Sequence, residues 1–396
     1  MFLTDAQRLV GALLAPLPLA AFMARLAEGR AYKIDGPGDP ARIALLGAEP
    51  GELLLGHHAH LADRLTFHAI APSGPPPAIG PAPDERAFRD RIAAFHARGY
   101  SVRFPELRPL SPPLDRTARA FEVLLHQPVS ASAFWSRSAL RAPVHYDEHD
   151  IVAVQLRGTK TWHLSQGPSP LCTGWQSIPG PLPMLGAAIS VTMRPGDVLY
   201  VPRGLPHTVD GAGESLHVAI GFTPLTVRDA VIALVDQLSE SERGFRATIG
   251  GDLALRLLRG EAAGLMPPVA NAVTKLREAA GSAPYFAAAL QRRSARAIGA
   301  LDGFSAQPDA PAIGLDTELR PRDLAFCHLS ANADTIDLSY PGGHIYVHRG
   351  AQESLVYIIN AHRFRVRDIP GAIADDVRLA LADRLLRAGY LEIVPG

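Results

Sequence analysis

A His-x-Asp pair at His145 and Asp147, with a third donor at His207 about sixty positions further on, constrains this chain more than any other feature. Two imidazoles and one carboxylate form a donor set that holds a divalent iron and leaves coordination positions open. Residues two apart on a strand share a face, so His145 and Asp147 can converge on one ion. For His207 to join them the chain must leave and return, as the wall of a β-barrel does. The intervening sequence has that form. Asp150 to Leu156 is an apolar strand run that ends at Arg157 and Gly158, and Thr161 to Leu164 reads as its partner in a tight hairpin. Ala188 to Met193 and Asp197 to Val201 flank a turn at Arg194-Pro-Gly196. Pro202 to Pro206 then presents His207 where the next strand opens, and Ser215 to Phe222 is a further strand. Short strands divided by Gly/Pro turns, with metal-type side chains at strand ends, describe a small barrel with a site in its mouth.

The stretch from Ser132 to Phe222 resembles the JmjC-type cupins, most nearly the ribosomal oxygenases, which hydroxylate protein side chains. The resemblance lies in His145-Tyr-Asp147, Gln155-Leu-Arg-Gly-Thr-Lys160-Thr-Trp162, Pro195-Gly-Asp-Val-Leu-Tyr-Val-Pro-Arg-Gly-Leu-Pro-His207 and Ser215-Leu-His217. It implies that His145, Asp147 and His207 bind Fe(II). It also implies that Lys160, fifteen positions after His145, binds the distal carboxylate of the co-substrate 2-oxoglutarate. A flexible ammonium suits a carboxylate inside a barrel as a point charge. The implied reaction turns 2-oxoglutarate into succinate and carbon dioxide while a substrate C–H bond is hydroxylated. Thiolate ligands would be oxidised in such a site, and Cys172 and Cys327 lie outside the motif.

Other residues are expected near the co-substrate. Trp135 and Ser136, on the strand-like segment ahead of the metal motif, are candidates for its cavity, as are Ser215 and His217, whose Ser-x-His pattern faces the pocket in the family. Ser132 stands where relatives often carry Asn. Gln155 faces either the core or the substrate, His149 reads as a hydrogen-bonded edge residue, and His163 as a strand residue. The cluster His57, His58 and His60 lacks a carboxylate or thiol at ligand spacing and reads as a solvated loop.

Hydrophobic residues make up 47% of the 396 and charged residues 20%, which is a globular composition with material for a real core. The 39 basic and 39 acidic residues cancel, which removes the global electrostatic drive toward nucleic acid. Two distant cysteines make no disulfide framework, so a cytoplasmic location is expected. Thr4 to Gln7 reads as a capping box that opens an amphipathic helix rather than a signal peptide, and no run is long enough to span a membrane.

Three parts are expected within an α+β chain. Residues 1–225 hold a double-stranded β-helix (cupin/JmjC) barrel with a helical lead-in, a proline-rich loop from Ser73 to Pro83, and a helix from Phe88 to Tyr100. Residues 226–308 show helical periodicity at Val227–Leu238, Leu253–Leu258 and Tyr285–Ala300; the resemblance implies that this region is a dimerisation domain. Residues 309–396 contain a hairpin, Thr335–Tyr340 and His344–His348, then helical runs at Ser354–His362 and Ile373–Gly389, and resemble a winged-helix module. Arg349, His362, Arg363, Arg365 and Arg367 form a modest basic cluster there, with acidic residues interleaved. The resulting expectation is a homodimeric hydroxylase acting on a ribosomal protein or a ribosomally made precursor peptide. The alternative is a non-catalytic cupin that senses a metal or metabolite and binds nucleic acid through the winged helix. Lysine demethylation could follow from the same chemistry, but no aromatic cage for a methyl-lysine argues for it.

Overall fold

The computed structural model describes residues 2–36, 40–69, 72–137, 140–167, 184–304 and 309–394. The loop from Pro168 to Pro183, expected to help shape the barrel mouth, lies outside the described residues, as does Cys172. The chain divides into two compact units, Met1–Pro224 and Leu225–Gly396.

The first unit begins with helices α1 (Phe2–Leu14) and α2 (Leu19–Glu28), strand β1 (Tyr32–Ile34), short helices α3 (Pro50–Gly56) and α4 (His58–Leu61), and strand β2 (Thr66–His68). Then come α5 (Glu85–Ala97), β3 (Ser101–Phe104), α6 (Pro112–Leu125), β4 (Val129–Ser136), β5 (Leu140–Arg141), β6 (Asp150–Gly158), β7 (Lys160–Ser165), β8 (Ala188–Met193), β9 (Val198–Val201), β10 (His207–Gly211) and β11 (Ser215–Phe222). The strands form two antiparallel sheets. The larger runs β1-β9-β6-β11-β4-β3-β2, and the smaller runs β5-β10-β7-β8.

Strand β11 is central to the larger sheet and buried along its whole length, which accounts for its nearly unbroken apolar sequence. Helices cover one face of this sheet. Phe22 of α2 meets Phe121 of α6 and Tyr200 of β9 edge-on, and Phe121 stacks on Phe222 with ring centres 5.2 Å apart. Helix α6 starts at Ser111, whose side chain caps the first turn, with Pro112 and Pro113 in the first two positions, where a missing N–H costs nothing. The opposite face of the sheet looks into the barrel.

Several expectations change here. Strands β6 and β7 are not hairpin partners: β6 pairs with β9 and β11, whereas β7 pairs with β8 and β10 in the other sheet. The chain turns the barrel corner at Gly158, which has φ +64°, and a Cβ there would meet the Glu214 carbonyl oxygen at 1.9 Å. Gly158→Ala should therefore destabilise the barrel by about 2 kcal/mol or more, from a left-handed conformation combined with a backbone clash. Thermal denaturation checks this, and an unchanged midpoint would refute the steric reading. Thr4 lies inside α1, which is already helical at Phe2, so it cannot cap the helix. The α5 helix starts at Glu85 because Asp84 caps it, its Oδ1 accepting from the Ala87 N–H. His58 and His60 sit on α4 and not in a loop; His57 bonds the Leu53 carbonyl and His60 the Glu106 carbonyl.

The second unit contains α7 (Val227–Ser241), α8 (Leu253–Leu258), α9 (Met266–Ala280) and α10 (Ala283–Gly299), followed by β12 (Glu318–Pro321), β13 (His328–Ala331), β14 (Thr335–Tyr340), β15 (Gly343–His348), α11 (Gln352–Asn360), β16 (Phe364–Arg365), α12 (Asp375–Arg387) and β17 (Leu391–Ile393). A reciprocal Thr226–Asp229 capping box opens α7. Helix α9, with prolines at 267 and 268 in its first turn, is an addition to the expected helices. β14 and β15 pair as a hairpin through Tyr340 and Gly343. Leu319, Ile336, Leu338, Leu355, Ile358, Leu385 and Tyr390 form one core in this unit. Among the described residues no single helix is long and apolar enough to cross a membrane. The bent pair α1–α2 passes only on length and composition, and its Ala6, Val10, Leu14 and Phe22 are buried.

Candidate active site

The barrel interior opens into a 470 Å³ cavity whose walls come from both sheets. His145, Asp147 and His207 stand on its rim, and one donor atom from each lies within 4.8 Å of the others. His145 and Asp147 are not on a strand: they occupy the segment between β5 and β6, and His145 is held by an isolated antiparallel bridge to His207 at the start of β10. The backbone bonds of that bridge measure 2.8 and 3.0 Å, and the Asp147 carbonyl accepts from the Gly204 N–H at 2.8 Å. The turn before β10 thus fixes the third donor against the first two.

Both imidazoles are oriented for coordination. Nδ1 of His145 faces the Pro143 carbonyl and Nδ1 of His207 the Leu205 carbonyl, each at 2.9 Å. A carbonyl can only accept, so each Nδ1 carries the proton and each Nε2 keeps its lone pair. Burial and the neighbouring His145 push His207 down to about 4, which keeps it neutral as a ligand must be. Its Nε2 stands 3.7 Å from the Asp147 carboxylate, too far for a direct hydrogen bond. Donor type, tautomer and spacing fit a divalent ion shared by the three.

Deeper in the barrel, Lys160 opens β7 with only 1% of its surface exposed. Its Nζ donates to the Phe134 carbonyl at 3.3 Å and to Nδ1 of His217 at 3.0 Å. Burial pulls the ammonium down to about 7. A β-bulge where β11 pairs with β6 shifts the register between Leu216 and His217, next to this contact. His217 is itself held well below the normal histidine range by burial, with Lys160 adding to the effect. Trp162 lies against both histidines, its ring 5.5 Å from His207 and 5.4 Å from His217. Its buried indole N–H has no acceptor among the described residues. A cationic tip and an unsatisfied donor at the cavity wall fit a bound carboxylate.

The remaining expected residues separate. Trp135 does not line the cavity. Strand residues alternate faces, and Ser130, Ser132 and Phe134 of β4 point inward, so Trp135 points outward. There its indole donates to Glu214 and packs edge-on against His96. Ser136 and Ser215 are buried together with their hydroxyls 3.3 Å apart, and neither reaches the cavity wall. Gln155 is spent on the Arg157 carbonyl at the sheet corner. His163 bridges Ser190 and Asp210. His149, expected as an edge residue, lines the cavity. Thr66 and His68 of β2 and Arg103 of β3 complete the wall. Nothing in their sequence surroundings marks them, because the proline-rich loop and α5 separate the two strands.

The JmjC domain family model matches residues 112–230, the part of the chain that carries the three donors and Lys160. The chain is 31% identical over 122 residues to ribosomal oxygenase 2 of Bos taurus, an alignment covering 29% of this chain and 26% of that protein. The chain thus matches only about a quarter of that curated relative's length. Among solved structures, Escherichia coli ycfD superposes with a TM-score of 0.55 at 17% identity, covering 96% of this chain and 98% of that one. A second structure of YcfD, a ribosomal oxygenase in complex with cobalt and 2-oxoglutarate, gives a TM-score of 0.51 at 16% identity, over 96% of this chain and 99% of that one. At those identities the superpositions establish the shared fold.

Proposed function

We propose that this chain is an Fe(II)- and 2-oxoglutarate-dependent dioxygenase that hydroxylates an amino-acid side chain of a protein or peptide. The carrying observation is that one cavity holds three coordination-ready donors and, on the adjoining strand, a fully buried lysine. His145, Asp147 and His207 would hold the metal, and Lys160 the distal carboxylate of 2-oxoglutarate. When bound, the pair supplies oxygen activation: one oxygen atom goes to succinate and the other to a substrate C–H bond, with loss of carbon dioxide.

The chain's own residues do the remaining work. The Pro143 and Leu205 carbonyls keep the imidazole protons away from the metal side. Phe134 and His217 hold the Lys160 ammonium in place, and Trp162 packs between the two polar ends of the cavity. Protein loaded anaerobically with Fe(II) and 2-oxoglutarate should release succinate when oxygen is admitted, slowly alone and faster with substrate. Neither succinate formation nor co-substrate binding would leave this reading without support.

The relatives' names favour a ribosomal protein as substrate; a ribosomally made precursor peptide is the other member of that class, and a cytoplasmic location would go with either. We read residues 226–308 as a dimerisation domain. Val227 on α7, Leu255, Leu257 and Leu258 on α8, and Met266 and Val273 on α9 are exposed apolar side chains that a second copy would cover. Sedimentation equilibrium should give twice the chain mass; a monomer at micromolar concentration would remove this assignment. Residues 309–396 are read as a winged-helix-like module with a structural or protein-contacting role. Its basic residues support that over nucleic-acid binding: Arg363 pairs with Glu318, Arg367 with Asp316, and Arg349 donates to the Asn332 carbonyl.

A further inference from the structure

Arg103 stands on the wall of the same cavity and takes no part in holding the metal or, through Lys160, the dicarboxylate. It sits on β3 directly opposite Phe134 of β4, which in turn faces His217 of β11. Its guanidinium lies 6.0 Å from the Phe134 ring centre, and that ring stacks on His217 at 4.9 Å. Phe134 therefore separates Arg103 from the Lys160–His217 pair. One Arg103 nitrogen donates to the Ser132 hydroxyl at 3.0 Å, and among the described residues no carboxylate lies within ion-pair reach of it. Its other donors have no hydrogen-bond partner among the described residues.

The charge of the cavity points the same way. Asp147 is the single acidic residue on its wall among the described residues, and the metal would claim it. With a divalent metal, the dicarboxylate, Asp147, Lys160 and Arg103 counted together, one positive charge is left over. A carboxylate entering the cavity cancels it, whereas an incoming guanidinium or ammonium doubles it.

We propose that Arg103 reads the substrate, and that the side chain hydroxylated here carries a carboxylate, so that aspartate or glutamate is accepted and arginine and lysine are rejected. This rests on the oxygenase reading above. Arg103 and the Ser132 hydroxyl form the recognition edge, a guanidinium fork matching a carboxylate in geometry and charge. One atom of O2 enters a C–H bond of that side chain. The other enters 2-oxoglutarate, which leaves as succinate and carbon dioxide.

The test uses full-length protein with Fe(II), 2-oxoglutarate and oxygen, and fluorescently labelled peptide pools whose central residue is fixed as Asp, Glu, Asn, His, Arg or Lys. Mass spectrometry reads the gain of one oxygen, and anaerobic anisotropy reads affinity. The Asp or Glu pool should gain oxygen and bind about tenfold or more tightly than the Arg and Lys pools. Arg103→Glu should invert that order, and Arg103→Gln should flatten it. Oxygen gain in the wild-type Arg or Lys pool, or none in either acidic pool, overturns the proposal. A 2-oxoglutarate affinity that falls in Arg103→Gln also overturns it, by assigning Arg103 to the co-substrate. Succinate formed without peptide reports on the oxygenase reading separately, so the two can fail independently.

Discussion

His145→Ala is expected to abolish stoichiometric metal binding and to lower succinate formation by at least about a thousandfold. Changes to residues that merely support a ligand cost about 10–100-fold in metal affinity, and removing one of three protein donors costs more. The variant should still fold, because the backbone bridge between His145 and His207 uses main-chain atoms on both sides. His207 would keep its Leu205 contact and Asp147 its Gly204 bond. Metal content after dialysis, with circular dichroism as the folding control, separates lost coordination from lost structure. A variant that keeps one equivalent of metal would remove His145 from the ligand set.

Lys160→Met should leave metal affinity near that of the wild type while weakening 2-oxoglutarate by about 10²–10³-fold. Methionine keeps all but the last atom of the side chain and removes the charge, so the carboxylate enters the barrel without the Lys160 cation. Leaving one partner of a buried charge pair alone costs about 3–5 kcal/mol, and each 1.4 kcal/mol is a factor of ten. The position also predicts a pH dependence. Burial holds the ammonium at about 7, and a bound carboxylate raises it. Below pH 7 the lysine is already charged, and 2-oxoglutarate affinity is flat. Above pH 7 a proton must be taken up on binding, and affinity falls about tenfold per unit. Calorimetry in buffers of different ionisation enthalpy should register that uptake at pH 8 in the wild type and none in Lys160→Met. Equal 2-oxoglutarate affinity in the two proteins would take Lys160 out of the site.

What the sequence revealed, and what it hid, follows from how locally each feature is encoded. The bounds of β11 and α8 and the hairpin of β14 and β15 could be read closely because each is set by its own apolar period and turn residues. The three metal-type donors could be picked out because their residue types are unusual and His207 follows a Pro/Gly turn. Pairing could not be read in the same way. The short Arg157–Gly158 link looks like a hairpin turn, yet Gly158 turns the chain from one sheet to the other. Trp135 and Ser136 cannot both face the cavity, because strand alternation sends neighbours to opposite faces. Ser132 and Phe134 share the inward face and line the cavity, while Ser136, of the same parity, is buried against Ser215 instead. His68 and Arg103 had no local mark. They reach the cavity because β2 and β3 add to the far edge of the sheet, a long-range pairing that spacing does not reveal.

The account's central claim is that the three donors and Lys160 hold metal and dicarboxylate together. Its most direct test is the visible absorption of the protein under anaerobic conditions as Fe(II) and 2-oxoglutarate are added singly and then together. A charge-transfer band should appear only with both present and be absent from His145→Ala. No band in the wild type, or the same band in His145→Ala, would contradict it.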